Sequence, residues 1–348
     1  MTITVAVTGA TGYAGGEILR LLATHPRVEV KTVAAHSSAG QRLGEVAPHL
    51  RAYASLTVAD TTAETLGGHD VVFMALPHGA SAEIAAQLPE STLVIDAGAD
   101  HRLESADAWG KFYGSEHTGT WPYGLPELPL SAGGKQREKL VGTRRVAVPG
   151  CYPTASILAL APGFAAGLIE PTDVVIVAAS GTSGAGKSLK PHLLSAEVMG
   201  GMSPYGVGGS HRHTPEIEEK LSTIAGEQVQ ISFTPTLAPM PRGILATATA
   251  RVKPGIAEEQ LRAAWASVYA DEEFVHLLPK GLWPATKNVQ GSNHAEMQLA
   301  LDTHANRVIV TSAIDNLTKG TAGGAIQSMN IALGLPENAG LLQEGLAP

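Results

Sequence analysis

The feature that most constrains this chain is a glycine turn, Gly9-Ala10-Thr11-Gly12-Tyr13-Ala14-Gly15, set directly after a β-branched run at residues 3–8. The helical pattern of residues 14–24 follows it and stops at His25-Pro26. A strand that feeds a helix through such a turn brings backbone N–H groups to the positive end of the helix, where a pyrophosphate binds. Dinucleotide contacts are therefore expected at Gly9, Thr11, Gly12, Tyr13, Ala14 and Gly15. The end of the second strand, residues 28–35, decides which dinucleotide. An NAD-binding chain places Asp or Glu there to hold the ribose 2′-hydroxyl. Here the residues are Ala34-Ala35-His36-Ser37-Ser38-Ala39-Gly40-Gln41. No carboxylate repels a 2′-phosphate, and Ser37 and Ser38 offer hydroxyls to it, so NADP(H) is the expected cofactor. No tyrosine has a lysine four residues later, which sets aside the Tyr-x-x-x-Lys dehydrogenases.

Further strands at 71–75, 92–96 and 145–148 alternate with helical segments such as 80–88. That alternation predicts a Rossmann-type parallel sheet domain, in an α/β chain, over residues 1–150. Residues 109–144, rich in Gly, Pro and aromatics, read as ordered loop. Past residue 150 the pattern changes to strands at 173–179, 229–234, 244–252, 296–301 and 308–311, with helices near 216–225 and 258–269. This predicts an α+β catalytic and oligomerisation domain with a mixed or antiparallel sheet over 151–316. A last helix, within 317–348, is expected to return to the first domain. With 44% hydrophobic residues in 348, two cores of ordinary size can form.

Composition removes several function classes. The net charge of −8, with no Lys/Arg cluster of five or more, argues against a nucleic-acid partner. The N-terminus has no basic region or cleavage site, and the longest apolar stretch, 155–169, is interrupted by Pro162 and Gly163. It is too short to span a bilayer, so no membrane partner and a cytoplasmic location are expected. A single cysteine makes no internal disulfide, and neither Cys-x-x-Cys nor His-Glu-x-x-His occurs, so no metal is expected.

That cysteine is the main chemical candidate. Pro149-Gly150-Cys151-Tyr152-Pro153-Thr154 joins the last strand of the first half to an apolar helical run. A helix N-terminus stabilises thiolate and draws a cysteine below its ordinary pKa. A base is needed nearby, and Gly208-Gly209-Ser210-His211-Arg212-His213-Thr214-Pro215-Glu216 places two histidines just ahead of a helix start. One imidazole would poise the thiol and donate a proton, and the other would contact phosphate or carboxylate.

Gly181-Thr182-Ser183-Gly184-Ala185-Gly186-Lys187-Ser188 matches the Walker A pattern and follows a strand, which makes a P-loop ATP-binding enzyme the rival from a different class. Pro191 falls where a Walker helix needs unbroken hydrogen bonds. Ser183 and Gly184 are therefore read as lining the active site near a substrate phosphate.

Together the motifs resemble the N-acetyl-gamma-glutamyl-phosphate reductase family of the semialdehyde dehydrogenase superfamily. The similar segments are the glycine turn, Ala75-Leu76-Pro77-His78-Gly79, Tyr123-Gly124-Leu125-Pro126-Glu127, Pro149 to Thr154, Ser180 to Gly186, His211 to Glu216, Arg242-Gly243 and Asp315-Asn316-Leu317-Thr318-Lys319-Gly320. The resemblance implies NADPH-dependent reduction of an acyl phosphate to an aldehyde through a thioester, with inorganic phosphate released, and a homo-oligomer (dimer or tetramer). It implies Cys151 as nucleophile, His211 as acid/base partner, Pro77 as a cofactor contact and Asn316 beside the nicotinamide. It further implies Arg102, Arg242 and His213 as substrate contacts, with Ser183 and Gly184. Glutamyl and aminoadipyl phosphates, the latter of lysine biosynthesis, differ by one methylene, and both stay open at this point.

Overall fold

The computed structural model describes residues 2–347. It divides into two compact units. The first runs to Leu125 and takes in Lys139–Pro149 and Thr321–Leu342; the second holds Pro126–Glu138, Gly150–Gly320 and the tail from Gln343. The sequence reading drew its boundary at residue 150, whereas Pro126–Glu138 groups with the second unit.

In the first unit five parallel strands, β1 (Ile3–Thr8), β2 (Val28–Ala34), β3 (Val71–Met74), β4 (Leu93–Asp96) and β5 (Arg145–Ala147), lie in the order β2-β1-β3-β4-β5. β3 and β4 are buried at every position, as central strands covered on both faces must be. The helix Gly323–Ala332 is buried along its whole length and packs against the helix Tyr13–Leu22 and β4. Strand order reverses between β1 and β3, the switch point where open α/β sheets bind ligands. The segment read as ordered loop, 109–144, contains the helical turn Arg137–Leu140 and overlaps the helix Ala106–Tyr113. Its start is capped by the Ser105 hydroxyl, which accepts from the Ala108 N–H, and its end by Gly114 at φ 73°. The Gly and aromatic content of that stretch had masked this short amphipathic turn.

The second unit carries a seven-stranded mixed sheet in the order β10-β11-β12-β9-β6-β8-β7. Its strands are β6 (Val174–Ser180), β7 (Ser203–Pro204), β8 (Ile231–Leu237), β9 (Ile244–Arg251), β10 (Val275–Leu277), β11 (Ala295–Asp302) and β12 (Arg307–Ile314). β11, β12, β9 and β6 are antiparallel neighbours, while β6 pairs β8 in parallel. The short strands β7 and β10 were not foreseen, because two or three residues carry no periodicity. The helix Cys151–Ala165 is buried from Tyr152 to Phe164 despite Pro162 within it. Pro162 cannot donate to the Leu158 carbonyl, and the Tyr269 hydroxyl does so instead at 2.7 Å. The rule that proline ends a helix is thus offset by one buried side chain.

Candidate active site

In the first unit the glycine turn closes on the switch point. Gly9 has φ 63°, and a Cβ there would lie 2.1 Å from the Ala75 carbonyl oxygen at the end of β3. A Cβ on Gly15 would lie 2.2 Å from the Gly9 oxygen. Only hydrogen fits at either position, so the turn stays thin and its backbone open to a ligand. Gly12 is the N-cap of the Tyr13–Leu22 helix, and no side chain caps that N-terminus. Its first N–H groups are therefore presented to an anion. Ser37 and Ser38 form a 3-10 turn, His36–Ser38, just past β2, and the Ser38 hydroxyl reaches Thr11 Oγ1 at 3.4 Å. Pro77 lies beyond β3, where its carbonyl accepts from the Ala80 N–H. The first-unit residues expected at the dinucleotide thus lie past the ends of β1, β2 and β3, and their thin turn, open helix start and absent carboxylate fit a phosphorylated dinucleotide.

In the second unit Cys151 is the first residue of its helix and is half-buried. The preceding Gly150 is fixed on two sides. Its N–H donates to Glu216 Oε1 at 2.9 Å, and Glu216 is buried at 1% exposure. A Cβ on Gly150 would lie 2.6 Å from His213 Nε2, so this imidazole rests directly on the residue before the thiol. His211 Nδ1 accepts from the His213 backbone N–H at 3.1 Å, which leaves the neutral ring's proton on Nε2. Its ring is walled edge-on by Tyr152, Tyr205 and Phe233. Burial, and then the Arg212 charge, push its pKa down to about 4. Tyr152 and Tyr205 share a hydroxyl–hydroxyl hydrogen bond of 2.8 Å.

Gly320 packs closely on Cys151: a Cβ there would lie 2.8 Å from Cys151 Cβ and 3.2 Å from its Cα. Gly320→Ala is therefore expected to cost about 1–3 kcal/mol and to reduce turnover at least tenfold by displacing the helix start. Thermal unfolding and a steady-state assay measure both, and a variant unchanged in each would show that the helix start yields without consequence.

The other expected substrate contacts each have partners within the fold. Arg102, in the first unit, donates from Nε to the Val148 carbonyl at 2.7 Å and from Nη2 to the Ala97 carbonyl at 3.0 Å. Arg242 is paired with Asp315 at 3.0 Å and donates to Thr318 Oγ1 at 3.1 Å. Both guanidiniums tie loops together. Asn316 also bridges, accepting from the Gly243 N–H at 2.7 Å and donating to Ser183 Oγ at 3.0 Å. Ser183 and Gly184 lie on the turn Thr182–Ala185 after β6. That turn is a short 3-10 segment and Pro191 opens another, so the Walker-like residues lead into no α-helix of the length a P-loop needs. The ATP-binding alternative is overturned on this ground. Glu216 and Gly320 received no individual role in the sequence reading; the only signal was their place inside motifs already singled out.

Two family models cover most of the chain: the NAD binding domain of semialdehyde dehydrogenases matches residues 4–132, and their dimerisation domain matches 151–316. The solved structure of aspartate semialdehyde dehydrogenase II complexed with ASA from Vibrio cholerae has the same fold, with TM-score 0.70 at 16% identity over 95% of this chain and 98% of that one. Aspartate semialdehyde dehydrogenase with NADP from Candida albicans gives 0.66 at 16% identity, over 95% and 98%. The two family models define the class, that of the semialdehyde dehydrogenases. Relatives named N-acetyl-gamma-glutamyl-phosphate reductase narrow it: that of Pseudarthrobacter chlorophenolicus is 71% identical over 348 residues, and that of Streptomyces coelicolor 62% identical over 348, each spanning all of both chains. The chain belongs to the N-acetyl-gamma-glutamyl-phosphate reductase family. Among the described residues no helix is long and apolar enough to cross a membrane.

Proposed function

We propose that this chain reduces N-acetyl-L-glutamyl 5-phosphate to N-acetyl-L-glutamate 5-semialdehyde, the third step of arginine biosynthesis, using NADPH and a thioester on Cys151. The observation that carries the reading is Cys151 at a helix start, with Gly150 held by Glu216 and overlaid by His213. The helix dipole favours thiolate at that position. The Cys151 sulfur attacks the acyl carbon; a C–S bond forms, the C–O bond to phosphorus breaks, and inorganic phosphate leaves. Bound NADPH supplies the hydride that reduces the thioester. The Cys151 N–H at the helix start donates to the oxyanion, and collapse of the thiohemiacetal releases aldehyde and regenerates thiolate.

The sequence assigns His211 as the acid/base residue and His213 as a substrate contact. Ring position and charge favour the reverse. His213 adjoins the residue before the thiol, whereas His211, held neutral by burial and Arg212, suits hydrogen-bond donation from Nε2. Small-molecule partners, a homo-oligomer and a cytoplasmic location belong to the same reading, and the dimerisation-domain match supports the oligomer. The relatives' names favour the glutamyl over the aminoadipyl substrate.

The test is a spectrophotometric assay run backwards: semialdehyde, phosphate and NADP, followed by NADPH absorbance, with N-acetyl-glutamate semialdehyde and its one-methylene-longer homologue side by side. Preference for the longer aldehyde would overturn the substrate assignment. For the cofactor, Ser38→Asp is expected to raise the KM for NADPH about tenfold or more, because a carboxylate then faces the 2′-phosphate. The KM for NADH should not rise with it. Equal effects on both would remove Ser38 from the 2′-phosphate site.

A further inference from the structure

Three buried polar side chains meet within the first unit. Ser81 and Asp96 are fully buried and Asp100 is 1% exposed. The Ser81 hydroxyl oxygen lies 3.0 Å from Asp96 Oδ2 and 2.9 Å from Asp100 Oδ2. A hydroxyl has one proton and donates one hydrogen bond. It satisfies two carboxyl groups only if one of them carries a proton and donates back. The surroundings decide which. Asp100 accepts three backbone N–H groups, from Gly79 at 2.7 Å, Ser81 at 3.1 Å and Ala82 at 3.3 Å, which suits a carboxylate capping the Ser81–Gln87 helix. Asp96 accepts one backbone N–H, from Gly98 to Oδ1 at 2.8 Å, and its Oδ2 meets the Ser81 hydroxyl.

We propose that Asp96 is a positioning residue that works as a neutral carboxylic acid, keeping its proton and donating it in a hydrogen bond to Ser81, whose hydroxyl donates in turn to the Asp100 carboxylate, so that the loops following β3 and β4 are locked together at the dinucleotide site. Burial, aided by the Asp100 charge, pushes the Asp96 pKa up to about 7 against the lowering effects of the Gly98 N–H, Arg102 and the Ser81 hydroxyl. The lock matters because of what hangs on it. Pro77 lies between β3 and Gly79, and Arg102, two residues past Asp100, clasps the carbonyls of Ala97 and Val148. A Cβ on Gly98 would lie 2.9 Å from Asp96 Oδ1, so this approach too requires glycine.

The sign of the pH dependence follows. A folded carboxyl that keeps its proton to higher pH than the unfolded 3.8 contributes stability that is complete below that value and is lost as pH rises towards 7. Asparagine at position 96 reproduces both hydrogen bonds without a titrating proton: its oxygen accepts from Gly98 and its amide donates to Ser81. Asparagine at 100 replaces an acceptor of three N–H groups with a poorer one.

The inference rests on reading the first unit as the dinucleotide site, and one arm of its test needs no dinucleotide. In denaturant unfolding between pH 5 and 7, the wild-type folding constant should fall relative to that of Asp96→Asn by about tenfold per pH unit. At pH 7 Asp100→Asn should be at least ~10-fold less stable than Asp96→Asn. In the binding arm, the KM for NADPH should rise about tenfold from pH 7 to 9 in wild type and stay level in Asp96→Asn. Parallel unfolding profiles, or an Asp96→Asn protein as damaged as Asp100→Asn, overturn the proposal. Level KM values with divergent unfolding profiles overturn the link to the dinucleotide site instead. Wild-type protein also decides the matter directly: at pH 6 its infrared spectrum should contain the band of a protonated carboxylic acid, and its absence overturns the assignment whether or not a variant folds.

Discussion

Cys151→Ser is expected to lower kcat by at least ~10⁴-fold while the Kd for NADPH stays within about twofold of wild type. Serine is nearly isosteric, so the helix start, the Glu216 contact to Gly150 and the His213 overlay should all survive. What is lost is the ionisable sulfur. A hydroxyl at the same helix end is hardly ionised at neutral pH, and the dipole that suffices for a thiol does not suffice for it. The glycine turn belongs to the first unit and Cys151 to the second, so dinucleotide binding and chemistry are separable in this variant. Single-turnover kinetics with the acyl phosphate should show no burst of phosphate release. Retention of substantial turnover would remove covalent catalysis from the account.

His213→Asn is expected to reduce kcat/KM by about 100-fold or more, the usual range for lost acid–base assistance. His211→Asn should cost less and, more tellingly, should leave the acid limb of the pH–rate profile in place. A ring whose pKa is pushed down to about 4 is already neutral across the working range and contributes no titration there. If instead the acid limb disappears with His211 and persists without His213, the roles return to the order drawn from sequence. Thiol alkylation gives a second readout, since iodoacetamide reports the thiolate directly: the His213 variant should react with a shifted pH midpoint, and the His211 variant should not.

The difference between those two histidines marks how far sequence reasoning reaches. His-x-His spacing and the Thr214-Pro215 helix start placed both rings near one another, but nothing in the spacing says which one meets Gly150. That is decided by where the Thr214–Ala225 helix packs on the Cys151–Ala165 helix, a contact between segments some sixty residues apart. Arg102 and Arg242 show the same limit from the other side. As cations they suit an anionic substrate, and sequence shows nothing of the backbone carbonyls and Asp315 that they also hold in the fold. The Walker-like run is a third case, where a letter-perfect local pattern is overruled because the chain beyond it forms short 3-10 turns.

Local chemistry by itself determined the glycine turn after β1, the parallel first sheet, the mixed second sheet and the thiol at a helix start, because each depends on dihedral preferences and periodicities that neighbours along the chain impose. Tertiary structure alone decided the partners: Glu216 on Gly150, His213 over it, Gly320 against Cys151, and Ser81 between Asp96 and Asp100. The physical reason is range. Turn and helix signals act over a few residues, whereas burial, hydrogen-bond partnership and the charge state that follows from them are settled by groups far apart in the chain and only angstroms apart in the fold.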